Sequence, residues 1–286
     1  MKKKIAMLFL VLTLCLPTYV YASEDVPREL DSTDTVTVSE RDMILELQEK
    51  TDSDLRKAGL SPSEISRLRA INDKTVLEAA RKQSDFELKQ RGLTETQISI
   101  IRNEPNIQTA ASQAYGEVTY TIKKVAYEYK SGNTVLTIKA TWEWNSAPMC
   151  LFTDIIAMTT SDYNFTKTSS SGWANYRLSK NGEVKSKSAL TMETGDSGRG
   201  ISSKINLSKT YNGAARPTKM IAFDGYITGT LRADKKKISA VGISSRYGHA
   251  EIALNPSVSF GDGASISFSP SISMKTGKEA YQRVTL

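Results

Sequence analysis

One histidine, His249, and two cysteines, Cys15 and Cys150, are all that a chain of 286 residues offers as imidazole or thiolate ligands. With Cys15 inside an apolar leader expected to be cleaved, one histidine and one thiol remain, too few for the three or four nitrogen and sulfur ligands of a zinc site. No multi-aspartate calcium loop and no phosphate-binding glycine loop occurs, so neither metal nor cofactor is expected. His249, within Tyr247-Gly248-His249-Ala250, reads as a hydrogen-bonded strand residue. Acid–base chemistry would fall to carboxylates, and Glu143, Asp154, Asp224, Glu251 and Asp262 lie on separate strand segments. A glycosidase pair is set by distance in space rather than in sequence, so one could be hidden among them. Asp262, between two glycines, reads as a turn. A chain this poor in proton-shuttling groups favours binding over catalysis.

Gly195-Asp196-Ser197-Gly198 resembles the core of the motif around the nucleophile of trypsin-like serine proteases. In that family the histidine and its acidic partner both precede the serine. Here His249 follows it, and Arg199-Gly200 stands where Gly-Pro usually continues the motif. No imidazole base exists upstream of Ser197, so none of the family's roles carry over, and the segment reads as a glycine-rich loop.

Aromatic side chains offer a better binding signal. Trp142 and Trp144 alternate in phase with Ile138 and belong to a core face. Tyr163, Phe165 and Trp173 instead flank the polar stretch Thr166 to Gly172, expected as a loop whose rings stack on sugars or insert at an interface, or else pin the loop to the core. Lys235-Lys236-Lys237, with Arg232 nearby, forms the one basic cluster and falls at an expected hairpin turn. It is a solvated turn or a contact for anionic envelope polymers or lipid heads. A net charge of +7 does not by itself argue for nucleic acid.

From Ala264 to Met274, serines at 265, 267, 269, 271 and 273 alternate with apolar residues, a length and pattern that fit a membrane strand. The segment resembles the stems of β-pore-forming toxins, and in that reading Ile266, Phe268 and Ile272 would contact lipid. Pro270 cannot donate to a ladder, which favours an edge strand of a sandwich.

The elements that must position these groups differ along the chain. Lys2, Lys3 and Lys4 head an apolar stretch ending at Val20-Tyr21-Ala22, the parts of a secretory signal peptide cleaved after Ala22. Leu14 before Cys15 argues against a lipid anchor. Cleavage leaves Cys150 alone between Met149 and Leu151, a buried thiol without a disulfide partner. Residues 23–38 are acidic and proline-containing and read as a disordered leader. From Ser23 to Ser112 the charges sum to about −5, and from Gln113 to Leu286 to about +9. The asymmetry suggests a helical module over 39–112 and a β domain over 113–286.

Residues Thr51 to Arg69 and Ser84 to Arg102 repeat with an offset of 33. Thr51 with Asp54, Ser84 with Glu87, Ser61 with Glu64 and Thr94 with Gln97 are spaced as helix-starting capping boxes. Gly59 and Gly92 stop the short helices, and Pro62 takes a first helical position. Two such units are too few to stand alone and must pack on each other, on the second domain or on a partner.

In the second half, Leu136, Ile138, Ala140, Trp142 and Trp144 alternate with polar residues, and Val118 to Tyr129 does so with a phase slip at Lys123-Lys124. Lys130-Ser131-Gly132-Asn133 and Asn181-Gly182 are hairpin turns. Further strands are expected at Leu151 to Met158, Ile201 to Leu207, Lys219 to Leu231, Ile238 to Ser244, Tyr247 to Leu254 and Ala264 to Met274. The expectation is mainly β, an antiparallel sandwich or barrel, with a small α-helical amino-terminal module. This plan resembles uncharacterised secreted proteins of Gram-positive bacteria, a resemblance that brings no activity with it. The expected function is a secreted, non-enzymatic binding protein for an envelope glycan or protein. A membrane-active β protein and a hydrolase with an unrecognised carboxylate pair are the alternatives.

Overall fold

A computed structural model describes residues 34–57, 60–149, 151, 153–162, 164–195, 198, 200–213, 217–249, 257–260, 266–269 and 280–286. The expected signal peptide, Cys150, Tyr163, Ser197, Glu251, Asp262 and Ile272 lie outside them. After strand β1 (Thr35–Ser39) come helices α1 (Glu40–Glu49), α2 (Asp52–Lys57), α3 (Pro62–Ala70), α4 (Asp73–Lys82), α5 (Asp85–Gln90), α6 (Glu95–Asn103) and α7 (Ile107–Ser112). The bounds of α1, α2 and α3 recur 33 residues later as α4, α5 and α6, so the repeat includes a third helix that the sequence comparison missed.

Each unit is built by local chemistry. Ser61, Ser84 and Thr94 cap their helices through reciprocal bonds with Glu64, Glu87 and Gln97. At the end of α5, Gly92 takes a φ of +98°. Its amide donates to the Lys89 carbonyl and the Leu93 amide to the Leu88 carbonyl, closing the helix by a Schellman motif. The Leu60 amide makes the corresponding bond to the Leu55 carbonyl one unit earlier.

Arg69 and Arg102 tie the units internally. Arg102 donates to the carbonyls of Arg81 at 2.7 Å and Gln83 at 2.5 Å and to the Asp85 carboxylate at 2.8 Å. Arg69 does the same to the Gln48 and Lys50 carbonyls and to Asp52. One guanidinium thus satisfies the orphan carbonyls at one helix end and reaches an acid in the first turn of the next helix. Leu55, Leu60, Ile65 and Leu68, with Leu88, Leu93, Ile98 and Ile101 as their counterparts, form a core of their own.

The strands follow as β2 (Glu117–Lys130), β3 (Asn133–Ser146), β4 (Thr153–Thr160), β5 (Thr166–Arg177), β6 (Ser186–Ala189), β7 (Met192–Thr194), β8 (Ile201–Asn206), β9 (Ser208–Tyr211), β10 (Thr218–Ala233), β11 (Ala240–Gly248), β12 (Ser257–Phe260), β13 (Ile266–Ser269) and β14 (Ala280–Thr285). They form a seven-stranded sheet, β1-β2-β3-β10-β5-β6 with β9 also on β10, and a five-stranded sheet, β14-β11-β4-β8-β7. All their pairings are antiparallel. Strands β12 and β13 pair with each other. One core, with Trp142, Trp144, Tyr176, Phe223 and Tyr247 among its members, joins the two large sheets face to face as a sandwich. The phase slip in β2 is a register shift between Lys124 and Ala126. The β2–β3 turn places Ser131 and Gly132 at φ values of 52° and 81°, the left-handed pair of a two-residue hairpin.

Three expectations need correction. Residues 35–38, assigned to a disordered leader, belong to β1, because Val36 and Val38 bury in the sandwich core and the segment from Thr35 to Ser39 pairs along β2. Thr166 to Gly172, expected as a loop, is the first half of β5; its ladder to β10 needs backbone groups and tolerates Ser and Thr on either face. The separate strands proposed at Ile238 and Tyr247 are joined in β11, which pairs without a break from Ile243 to Gly248 along β4.

The helices and the sandwich interlock. Met43 of α1 enters the sandwich core while Ile44 and Leu47 enter the helical one. Arg91 donates to the carbonyls of Ala114 at 2.8 Å and Ala147 at 2.9 Å, and its own carbonyl accepts from the Ala147 amide.

Candidate functional site

The outer face of the seven-stranded sheet is assembled by the two-residue period of its strands. In β5, Gly172 and Ala174 turn inward and Trp173 between them turns out, remaining 40% exposed. Register then fixes its neighbours. Trp173 stands opposite Tyr226 of β10, Tyr226 opposite Thr141 of β3, and Thr141 opposite Thr121 of β2. The result is a row of two aromatic rings and two threonines across four strands. The next row holds Ser171, Thr228, Lys139 and Lys123, with the Lys139 ammonium 4.1 Å from the Tyr226 ring centroid. Thr121 and Thr141 share a hydrogen bond of 2.7 Å, and Thr137 and Thr230 one of 3.2 Å. Beneath the rings Gly225 leaves the space that the Trp142 side chain fills.

On the other side of the aromatic row, register brings Asp224 opposite Glu143. This is the one pair among the foreseen carboxylates that the described structure places side by side on the surface. Each is engaged: Arg177 and Asn175 hold Asp224, and Lys180 lies 2.6 Å from Glu143.

The remaining sequence candidates separate. Phe165 is fully buried in the sandwich core, so it pins the start of β5 and offers no ring to a ligand. Ile266 is also fully buried, which corrects its assignment to lipid contact; Phe268 stands opposite Val258 in the β12–β13 pair. Arg232 pairs with Asp234 at 2.5 Å, and the three lysines that follow are exposed on a built turn. The Lys235 amide donates to Asn133 Oδ1 at 2.9 Å, the Lys236 carbonyl accepts from the Thr134 hydroxyl at 2.8 Å, and the Lys237 ammonium lies 5.6 Å from the Tyr129 ring centroid.

A second polar constellation was not foreseen. His249 is buried with Asp154 Oδ1 at 2.7 Å from Nδ1 and Glu40 Oε1 at 3.7 Å from Nε2. The Tyr247 hydroxyl donates to Asp154 Oδ2 at 2.5 Å and accepts from Trp144 Nε1 at 3.1 Å. Glu40 also accepts from the amides of Gly116 and Met149, both at 2.8 Å. Burial would raise the Glu40 carboxyl, but His249 and these two amides outweigh it and hold the group below its ordinary value. Burial, then the Asp154 charge, pushes the Tyr247 phenol well up. The ring of His249 stands between the two carboxylates, and among the described residues no group of three His, Cys, Asp or Glu is arranged to hold a metal ion. Glu40, Asp154 and His249 are each 0% exposed, and the network joins the first helix to the sandwich. Glu40, Asp154 and His249 each lie about a hundred residues from the next along the chain and carry no spacing signal.

No protein-family model and no curated protein sequence matches the chain. Solved structures similar to part of it include the collagen-binding domain of a Staphylococcus aureus adhesin, at 7% identity and a TM-score of 0.30, covering 58% of this chain and 97% of that one. AvmM, which catalyses macrocyclization in alchivemycin A biosynthesis, matches at 9% identity and a TM-score of 0.25 over 59% and 89%. A pore-forming protein matches at 10% and 0.23 over 59% and 84%. No described helix is long and apolar enough to cross a membrane.

Proposed function

We propose that this is an exported, non-enzymatic binding protein of the bacterial envelope, and that the outer face of the seven-stranded sheet grips a glycan. The observation that carries the reading is Trp173, exposed beside Tyr226 in a field of threonine and serine hydroxyls. Ring faces stack on the apolar faces of sugars while threonine and serine hydroxyls take the hydroxyl groups at their edges. A rigid sheet holds these groups in place before binding, which lowers the cost of ordering them. Asp224 and Glu143, paired on this face, are each engaged by a cation, and the imidazole of His249 is buried in the interior.

Saturable binding to isolated bacterial cell walls tests the reading. Trp173→Ala should abolish retention while changing stability by less than about 1 kcal/mol, since the residue is surface-facing. Unaltered retention of that variant, or wild-type protein left wholly in the supernatant, counts against it. Turnover of a glycan panel that vanishes in Glu143→Gln or Asp224→Asn would favour a hydrolase instead.

A further inference from the structure

Charge on this face is graded. Along β10, Tyr226, Thr228, Thr230 and Arg232 point the same way, so the face runs about 20 Å from the aromatic row to the β10–β11 turn at the ordinary strand rise. At the Tyr226 end the two carboxylates are neutralised by Arg177 and Lys180. Toward the turn the balance is cationic. Lys123, Lys139, Lys235, Lys236 and Lys237 have no carboxylate partner among the described residues, while the acids nearby, Asp234 and Glu128, pair with Arg232 and Lys130. The turn lysines stand on backbone that Asn133 and Thr134 fasten to the β2–β3 hairpin, so their positions are set by the fold.

We propose that the ligand of the aromatic face is a polyanionic glycan or polyol chain, stacked on Trp173 and Tyr226 and running past Lys139 to the Lys235–Lys237 turn. This rests on the glycan-platform reading above and adds the charge and direction of the ligand. A chain with repeated anionic groups gains at each lysine it passes, whereas a neutral glycan meets only the rings and hydroxyls. Lys139 contributes to both ends, since its ammonium lies over the Tyr226 ring.

Binding of the full chain to four probes tests it: a poly(glycerol phosphate) polymer, a polyuronate, a neutral glucan and single-stranded DNA, with vesicles of anionic lipid as a fifth arm. At low salt the phosphate or carboxylate polymer should bind at least about tenfold more tightly than the glucan, and the preference should fade as salt screens the lysines. Which of the two polymers is preferred identifies the anionic group. Replacing Lys235, Lys236 and Lys237 together by Gln should remove most of the preference while leaving glucan binding intact. Trp173→Ala should weaken every glycan. Equal binding of glucan and polyanion, with no effect of the lysine replacements, overturns this inference and leaves the platform standing. Loss of no glycan in Trp173→Ala overturns the platform itself. Tightest binding to the vesicles or to DNA overturns the glycan assignment.

Discussion

Glu40 and His249 meet 3.7 Å apart in the interior, one from the first turn of the first helix and the other from just beyond β11. The contact fastens the helical repeats to the sandwich beside Arg91's bonds, since Glu40 holds the amides of Gly116 and Met149 and Arg91 the carbonyls of Ala114 and Ala147. Removing the Glu40 carboxylate also strands the buried amides of Gly116 and Met149 that donate to it. Glu40→Ala should therefore lose about 3–5 kcal/mol in urea unfolding. The carboxyl titrates below its ordinary value of 4.5 when folded. Its stabilisation is thus present above that value and disappears as the pH falls through the lower folded value. Glu40→Gln should be less stable at neutral pH and should show a shallower decline on acidification; a decline parallel to wild type would exclude Glu40 as its source.

Tyr247 joins two buried groups with one hydroxyl. Tyr247→Phe keeps the ring packed against Trp144 and strands both the indole N–H and an Asp154 oxygen, for a loss of about 2–3 kcal/mol. With the phenol held well above 10, alkaline absorbance titration should count the same number of ionising tyrosines before unfolding in variant and wild type. One fewer in the variant would show that Tyr247 ionises in the folded state.

The two arginine clasps make a matched pair. Arg102→Ala and Arg69→Ala should each destabilise by about 1–3 kcal/mol, and Arg102→Lys should not restore the loss because an ammonium cannot span two carbonyls and a carboxylate. Chemical denaturation of the single and double variants distinguishes local clasps, whose effects add, from a shared network, whose effects do not.

Gly92 and Gly132 both occupy the left-handed region, at φ values of +98° and +81°. An added methyl at Gly132 meets nothing within 4 Å, so Gly132→Ala should cost only the backbone strain of about 1–2 kcal/mol. At Gly92 it would also lie 2.9 Å from the Asn145 carbonyl and the Lys180 side chain, where the repeats meet the sheet. Thermal melts should place Gly92→Ala clearly below Gly132→Ala. Equal melts would mean that the joint yields.

Local chemistry was legible along the chain. Capping residues, the glycine stop at 92, the hairpin at Ser131-Gly132 and the alternation through Trp142 and Trp144 all act over a few residues, and each fixed a structure that the fold retains. The start of β5 was not legible, because Thr166 to Gly172 lacks an apolar face and its strand identity comes from β10 alongside it. Trp173 was marked by its isolation in a polar stretch, but Phe165 carried the same mark and is buried.

The amino-acid sequence by itself determined the mainly-β half, the 33-residue helical period and the scarcity of catalytic side chains, since propensity and periodicity are properties of neighbours. Tertiary structure alone decided that Tyr226 stands beside Trp173, that Asp224 faces Glu143, and that Glu40, Asp154 and His249 share one buried site. Those relations depend on strand register and sheet stacking, which are set by the packing of distant segments into a common core and leave no trace in local spacing.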